Sequence, residues 1–72
     1  MAHRPIIVYM KQSCPYSRAL RRKLQHDGLT FQEFDVLKDK DVYDEMMALN
    51  GHKSETPTWI QDGRVIVGFH GS

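Results

Sequence analysis

Residues 5 to 10, PIIVYM, form an unbroken apolar run rich in β-branched side chains within a chain of 72 residues. A strand with one wet face alternates polar and apolar positions, whereas an unbroken run is covered on both faces, so this segment predicts a central strand between two layers. A chain of this length has room for one domain, spanning 1–72, that buries only about 60% of the surface its unfolded form exposes. Both covering layers must come from the remaining residues. The chain has 1 cysteine, so neither an internal disulfide nor an all-cysteine zinc site can staple it.

The rest of the sequence supplies those layers in a regular order. From Tyr16 the apolar period becomes helical, with Tyr16, Leu20 and Leu24 four residues apart and Ala19 beside them. Asp27-Gly28 closes this helix, glycine taking the left-handed position past the last turn. TFQEFDV, residues 30–36, reads as a second strand with Phe31, Phe34 and Val36 as its apolar members. A helix joining two strands implies a right-handed βαβ unit with parallel strands. Asp39 or Asp41 caps a second helix, with Val42 or Tyr43, Met46 and Leu49 as its inner stripe and Asn50-Gly51 as its end. This helix is expected on the opposite face of the sheet. TPTWIQ and RVIVGF then flank Asp62-Gly63, a strong hairpin signal because a type I′ turn needs positive φ at both central residues. The order is βαβαββ, without repeat or linker.

Charge and hydropathy exclude several function classes. The net charge is +1, which argues against a general polyanion binder. Residues 1–36 carry 6 Lys or Arg against 3 acids and residues 37–72 carry 4 against 6. The densest basic run, Arg18, Arg21, Arg22 and Lys23, has no interleaved aromatic or base-reading side chains and reads as a solvated helix face, so no nucleic-acid partner is expected. No stretch approaches the roughly 20 apolar residues of a membrane span, and MAHRPIIVYMK lacks the features of a secretory signal. A lone thiol without export signals fits a soluble protein of a reducing compartment, expected to be the cytoplasm. His3, His26, His52 and His70 do not fall at metal-ligand spacing, and no metal is expected.

Cys14 is the residue most apt for chemistry. It stands at a strand-to-helix junction followed by Pro15, a residue suited to the first helical turn. A cysteine there faces unpaired backbone N–H groups and the positive end of the helix dipole, which favour thiolate over thiol. Lys11, three residues before, and Arg18, four after, are expected to add to the effect.

Three separated elements, a strand leading to K-x-x-C-P-Y at a helix start, Thr-Pro opening a later strand and a hairpin ending in V-G-F, together resemble a glutaredoxin of the thioredoxin superfamily. The resemblance covers almost the whole chain. It implies an α/β thioredoxin-like sandwich with a mixed four-stranded sheet, and Cys14 as nucleophile within the active-site motif Cys14, Pro15, Tyr16 and Ser17. It implies a cis peptide bond before Pro57, with the Thr56 backbone pairing with the cysteinyl part of glutathione. Lys11 would meet the glycine carboxylate of glutathione, the Tyr16 ring would lie beside the tripeptide, and Gly68 matches the glycine that follows the hairpin. Two departures stand out. Phe69 replaces a usual second glycine, and the acidic residues that normally follow are missing from GFHGS. C-P-Y-S also differs from the C-G-F-S type that bridges an iron-sulfur cluster.

The activity this resemblance implies is monothiol thiol-disulfide oxidation and reduction, with glutathione as co-substrate and glutathionylated or disulfide-containing proteins as partners. Two other readings remain open: a dithiol reductase whose resolving cysteine is replaced by Ser17, and a non-catalytic module like the N-terminal domain of a glutathione transferase. The third helix usual in glutaredoxins is expected to be short or missing, because only GFHGS follows the last strand. RVIV and PIIVYM would then expose apolar side chains, to be covered either by another chain, as in a homodimer, or by a shift of the first helix and Phe69.

Overall fold

A computed structural model describes residues 5–69. Strand β1, Ile6–Met10, runs through the middle of the sheet and is covered on both faces as its composition requires. The other elements follow in the expected order: α1 Pro15–His26, β2 Phe31–Asp35, α2 Lys40–Leu49, β3 Thr58–Gln61 and β4 Arg64–Val67. The sheet order is β2-β1-β3-β4. β2 pairs parallel with β1, while β3 pairs antiparallel with both β1 and β4, giving the mixed four-stranded sheet.

Alternation along β1 divides the interior in two. Ile6, Val8 and Met10 join Leu20 and Leu24 of α1, with Phe31, Trp59 and Phe69 packed around them. On the other face Tyr9 joins Val36 and Met46, with Ile7, Val42, Tyr43, Met47 and Ile60 alongside. The two helices therefore lie on opposite faces of the sheet.

Local signals account for the boundaries. Past the C-cap Asp27, Gly28 takes φ 69°, its N–H donating to the Gln25 carbonyl and that of Leu29 to the Leu24 carbonyl. These two bonds satisfy carbonyls that the helix end leaves unpaired. Of the two candidate caps of α2, Asp39 serves: its Oδ1 accepts from the Asp41 N–H at 2.9 Å. Asp62 and Gly63 both have positive φ, 52° and 75°, as the two-residue hairpin demands.

The structure corrects three expectations. Tyr16 is not the first member of the buried stripe of α1; Ser17 takes that place with Leu20 and Leu24, and Tyr16 is 45% exposed. Leu49 is likewise exposed, and its neighbour Asn50 is buried. The basic run of α1 is not wholly solvated: Arg21 pairs with Glu33 on β2 at 2.8 Å and also donates to Gln12. Of the two expected ways of covering β1, the one seen is Phe69, which packs against the α1-side cluster. Val65 remains 40% exposed, but its register partner Ile60 places it on the α2 side. His3 and residues 70–72, on which the expectations for His70 and for the end of the chain fall, lie outside the described residues.

Candidate active site

The site forms where β1 ends and α1 begins. Cys14 is the N-cap of α1, extended at φ −84° and ψ 118°, with Pro15 in the first turn. A tight turn sets it there: the Cys14 N–H donates to the Lys11 carbonyl at 3.1 Å, and the Arg18 N–H donates to the Cys14 carbonyl at 3.2 Å. Ser17, with no exposed surface, closes this turn from inside, its Oγ accepting from the Lys11 N–H at 3.4 Å. Burying a hydroxyl without a partner is costly, and this contact offsets that cost.

Across from Cys14 stands the segment between α2 and β3. The Thr56–Pro57 peptide bond is cis, and the Cys14 thiol donates to the Thr56 carbonyl at 3.5 Å. The far side of the segment is fixed by Gly68, just past β4: the Gly68 N–H donates to the Pro57 carbonyl at 2.7 Å, and the Gly68 carbonyl accepts from Trp59 Nε1 at 3.0 Å. The fold thus brings Cys14 to Thr56, and Pro57 to Gly68, across 42 and 11 positions of sequence. Lys11 is half-buried in the turn and Tyr16 lies exposed on the first turn of α1. Phe69 packs against the α1-side cluster.

The Cys14 thiol is held below its ordinary pKa. Burial opposes ionisation, but it is outweighed by hydrogen bonds from the Thr56 side chain, the Ser17 side chain and the backbone N–H groups of Ser17 and Tyr16. These bonds belong to the thiolate. In the thiol form the sulfur does not cap the helix, and its contact with the Thr56 carbonyl is one that ionisation breaks. Lys11 and Arg18 are not among the groups that shift Cys14, which corrects the expectation that nearby cations activate it. The expected helix-start N–H groups do contribute. The Ser17 hydroxyl contributes as well, a part that a motif counting serine only as a missing thiol does not reveal.

Among the described residues no cluster of three or more His, Cys, Asp or Glu side chains is arranged to hold a metal, and no helix is long and apolar enough to cross a membrane. An open depression bounded by Pro5, Leu29, Thr30, Gln32 and Asp62 lies at the opposite end of β1 from Cys14 and contains no nucleophile.

A thiol at a helix start facing a cis-proline segment, on a β2-β1-β3-β4 sheet between two helices, defines a thioredoxin-like thiol protein. The glutaredoxin family model matches residues 6–66, and the chain belongs to that family of thiol oxidoreductases within the thioredoxin superfamily. Among solved structures, the thioredoxin-like protein BC3987 is 32% identical, with a TM-score of 0.77 over 90% of this chain and 88% of that one. The glutaredoxin of Archaeoglobus fulgidus superposes with a TM-score of 0.81 at 17% identity, covering 90% of this chain and 75% of its own. A buckwheat glutaredoxin, solved in complex with glutathione, gives 0.76 at 19% identity over 89% of this chain and 60% of that one. The last two show a shared fold. No curated protein matches the chain significantly.

Proposed function

We propose that the protein is a monothiol glutaredoxin that reduces glutathione mixed disulfides through Cys14. The observation that carries this reading is the pairing of an ionisable Cys14, facing Thr56, with a fully buried Ser17 at the position where a second thiol would stand. The Cys14 thiolate attacks the glutathione sulfur of a mixed disulfide; a new S–S bond forms to Cys14, the old one breaks, and the substrate leaves as a thiolate that takes up a proton. A second glutathione, as thiolate, attacks the glutathione sulfur held on Cys14, releasing glutathione disulfide and restoring the Cys14 thiolate. One mixed disulfide and one reduced glutathione thus give one substrate thiol and one glutathione disulfide. An external thiol can close the cycle in this way without a neighbouring cysteine.

The backbone of Thr56 offers an N–H and a carbonyl to the cysteinyl part of glutathione, Pro57 and Gly68 support it from beneath, and Lys11 and Tyr16 border the approach. The buckwheat relative, whose structure contains glutathione, supports this choice of co-substrate. Glutathionylated proteins are the corresponding partners, and a reducing compartment such as the cytoplasm is the setting in which free glutathione can regenerate the thiol. The test is turnover of a small glutathione mixed disulfide, followed through glutathione disulfide formation, with Cys14→Ser as control. Activity that disappears in the variant is expected; wild-type turnover no faster than the variant overturns the proposal.

A further inference from the structure

Two buried polar side chains outside the thiol chemistry, Asn50 and Thr58, are hydrogen-bonded to each other and to the segment that faces Cys14. Asn50 Nδ2 donates to the Lys53 carbonyl and to Thr58 Oγ1, the latter at 3.1 Å. Asn50 Oδ1 accepts from the Lys53 N–H at 2.9 Å, and the Thr58 hydroxyl donates onward to the Glu55 carbonyl at 2.9 Å. The amide and the hydroxyl therefore tie the backbone down at residues 53 and 55, immediately before Thr56.

Helix termination does not explain this arrangement. The end of α2 is already closed by backbone bonds, from the Asn50 N–H to the Met46 carbonyl at 3.0 Å and from the His52 N–H to the Met47 carbonyl at 2.7 Å. Filling space does not explain it either, since an apolar side chain would occupy the same volume without giving up hydration. Residues 51–55 are exposed and have little apolar packing to hold them. A loop with so few buried contacts would otherwise sample several conformations.

We propose that Asn50 and Thr58 are positioning residues, an amide–hydroxyl clasp that sets the Thr56 backbone at its working distance from Cys14 and so governs how a disulfide substrate is presented to the sulfur. The inference rests on the thiol-disulfide exchange proposed above. Disulfide exchange needs the attacking, central and departing sulfurs in line, and the Thr56 backbone, in the bend just before β3, faces the sulfur and can orient them. On the opposite side Pro57 is already held by Gly68, so release of the clasp frees one side of the segment only.

Thr58→Val keeps the shape of the side chain and removes the hydroxyl, whereas Thr58→Ser keeps the hydroxyl. Two readouts apply: kcat/KM with a glutathionylated peptide, and the pH midpoint of Cys14 alkylation by iodoacetamide. Thr58→Val is expected to lose between about tenfold and a hundredfold in kcat/KM, the range for a reacting group misplaced by around 1 Å, and to move the alkylation midpoint upward. Thr58→Ser is expected to retain both. A folded Thr58→Val with wild-type values in both assays overturns the proposal. Should Thr58→Val not fold, Asn50→Asp, which deletes the amide donor and keeps the acceptor for Lys53, is measured in the same two assays, where wild-type values again overturn the proposal. If the wild type does not turn over the peptide, the glutathione reading fails, and the alkylation midpoint alone decides the role of the clasp.

Discussion

The Cys14 thiol lies 3.5 Å from the Thr56 carbonyl, although the two residues are 42 positions apart and belong to segments that approach the sheet from opposite faces. α1 delivers one and the loop after α2 the other. The strand between them, β1, keeps both in place by carrying a separate apolar cluster on each side.

Cys14 should alkylate with a pH midpoint below the roughly 8.5 of a free cysteine. Burial raises its pKa, and the hydrogen bonds from Thr56, Ser17 and Tyr16 lower it by more. Ser17→Ala removes one of those bonds and should move the midpoint up. Iodoacetamide kinetics from about pH 5 to about pH 10 measure both; a wild-type midpoint at or above about 8.5 contradicts the site geometry.

Ser17→Cys should allow an internal disulfide, because position 17 lies one turn after Cys14 and its side chain faces the sulfur. Mass spectrometry of the oxidised variant should show two hydrogens lost per chain. Dimers or glutathione adducts alone would mean that residue 17 does not meet Cys14.

Leu20→Ala and Met46→Ala each empty a fully buried position, one on either face of β1. Each should cost about 2–5 kcal/mol. A domain of 72 residues has a total stability of only about 4–11 kcal/mol, at roughly 0.05–0.15 kcal/mol per residue. Urea titration should therefore show a large drop in midpoint for both variants, and a loss confined to one of them would mean that the faces are not equally needed.

Tyr9 provides a pH dependence at the alkaline end. Burial, then the charge of Glu45, then the hydrogen bond to Glu45 raise its pKa above 10.0. A folded-state pKa above the unfolded one means that the stabilisation is complete below about pH 10 and is lost as pH rises through the folded value. The urea midpoint of the wild type should fall over that window. Tyr9→Phe should flatten the fall, and an unchanged slope in that variant would remove Tyr9 as its cause.

Much of this architecture is legible in the sequence because it depends on local rules. The doubly covered β1 follows from an unbroken apolar run, and the turns at Gly28 and Gly63 follow from their positive φ. The pairing of Cys14 with Thr56–Pro57 follows only from the family resemblance. Periodicity misleads at Tyr16 and Leu49, where the buried residue is the polar neighbour, Ser17 or Asn50. Both small side chains are tolerated inside because they bond to residues elsewhere, Ser17 to Lys11 and Asn50 to Lys53 and Thr58. A pattern that counts only apolar positions passes over such residues, and so it places the inner stripe one residue away. A polar residue at the i−3 or i+4 position of a buried leucine or methionine is the signal that would find them.

The division of the interior by β1 also governs how the molecule comes apart. Five residues of one strand are the shared wall of two apolar compartments with no side chain in common. Peeling away either helix leaves that wall wet on one side and unable to hold the other compartment closed, so neither half is a unit that can persist by itself. A molecule gripped between Cys14 and Thr56 bridges the start of α1 and the loop that follows α2. Its binding energy should be felt by the whole chain at once, as a rise in a single melting transition rather than as the local tightening of one loop.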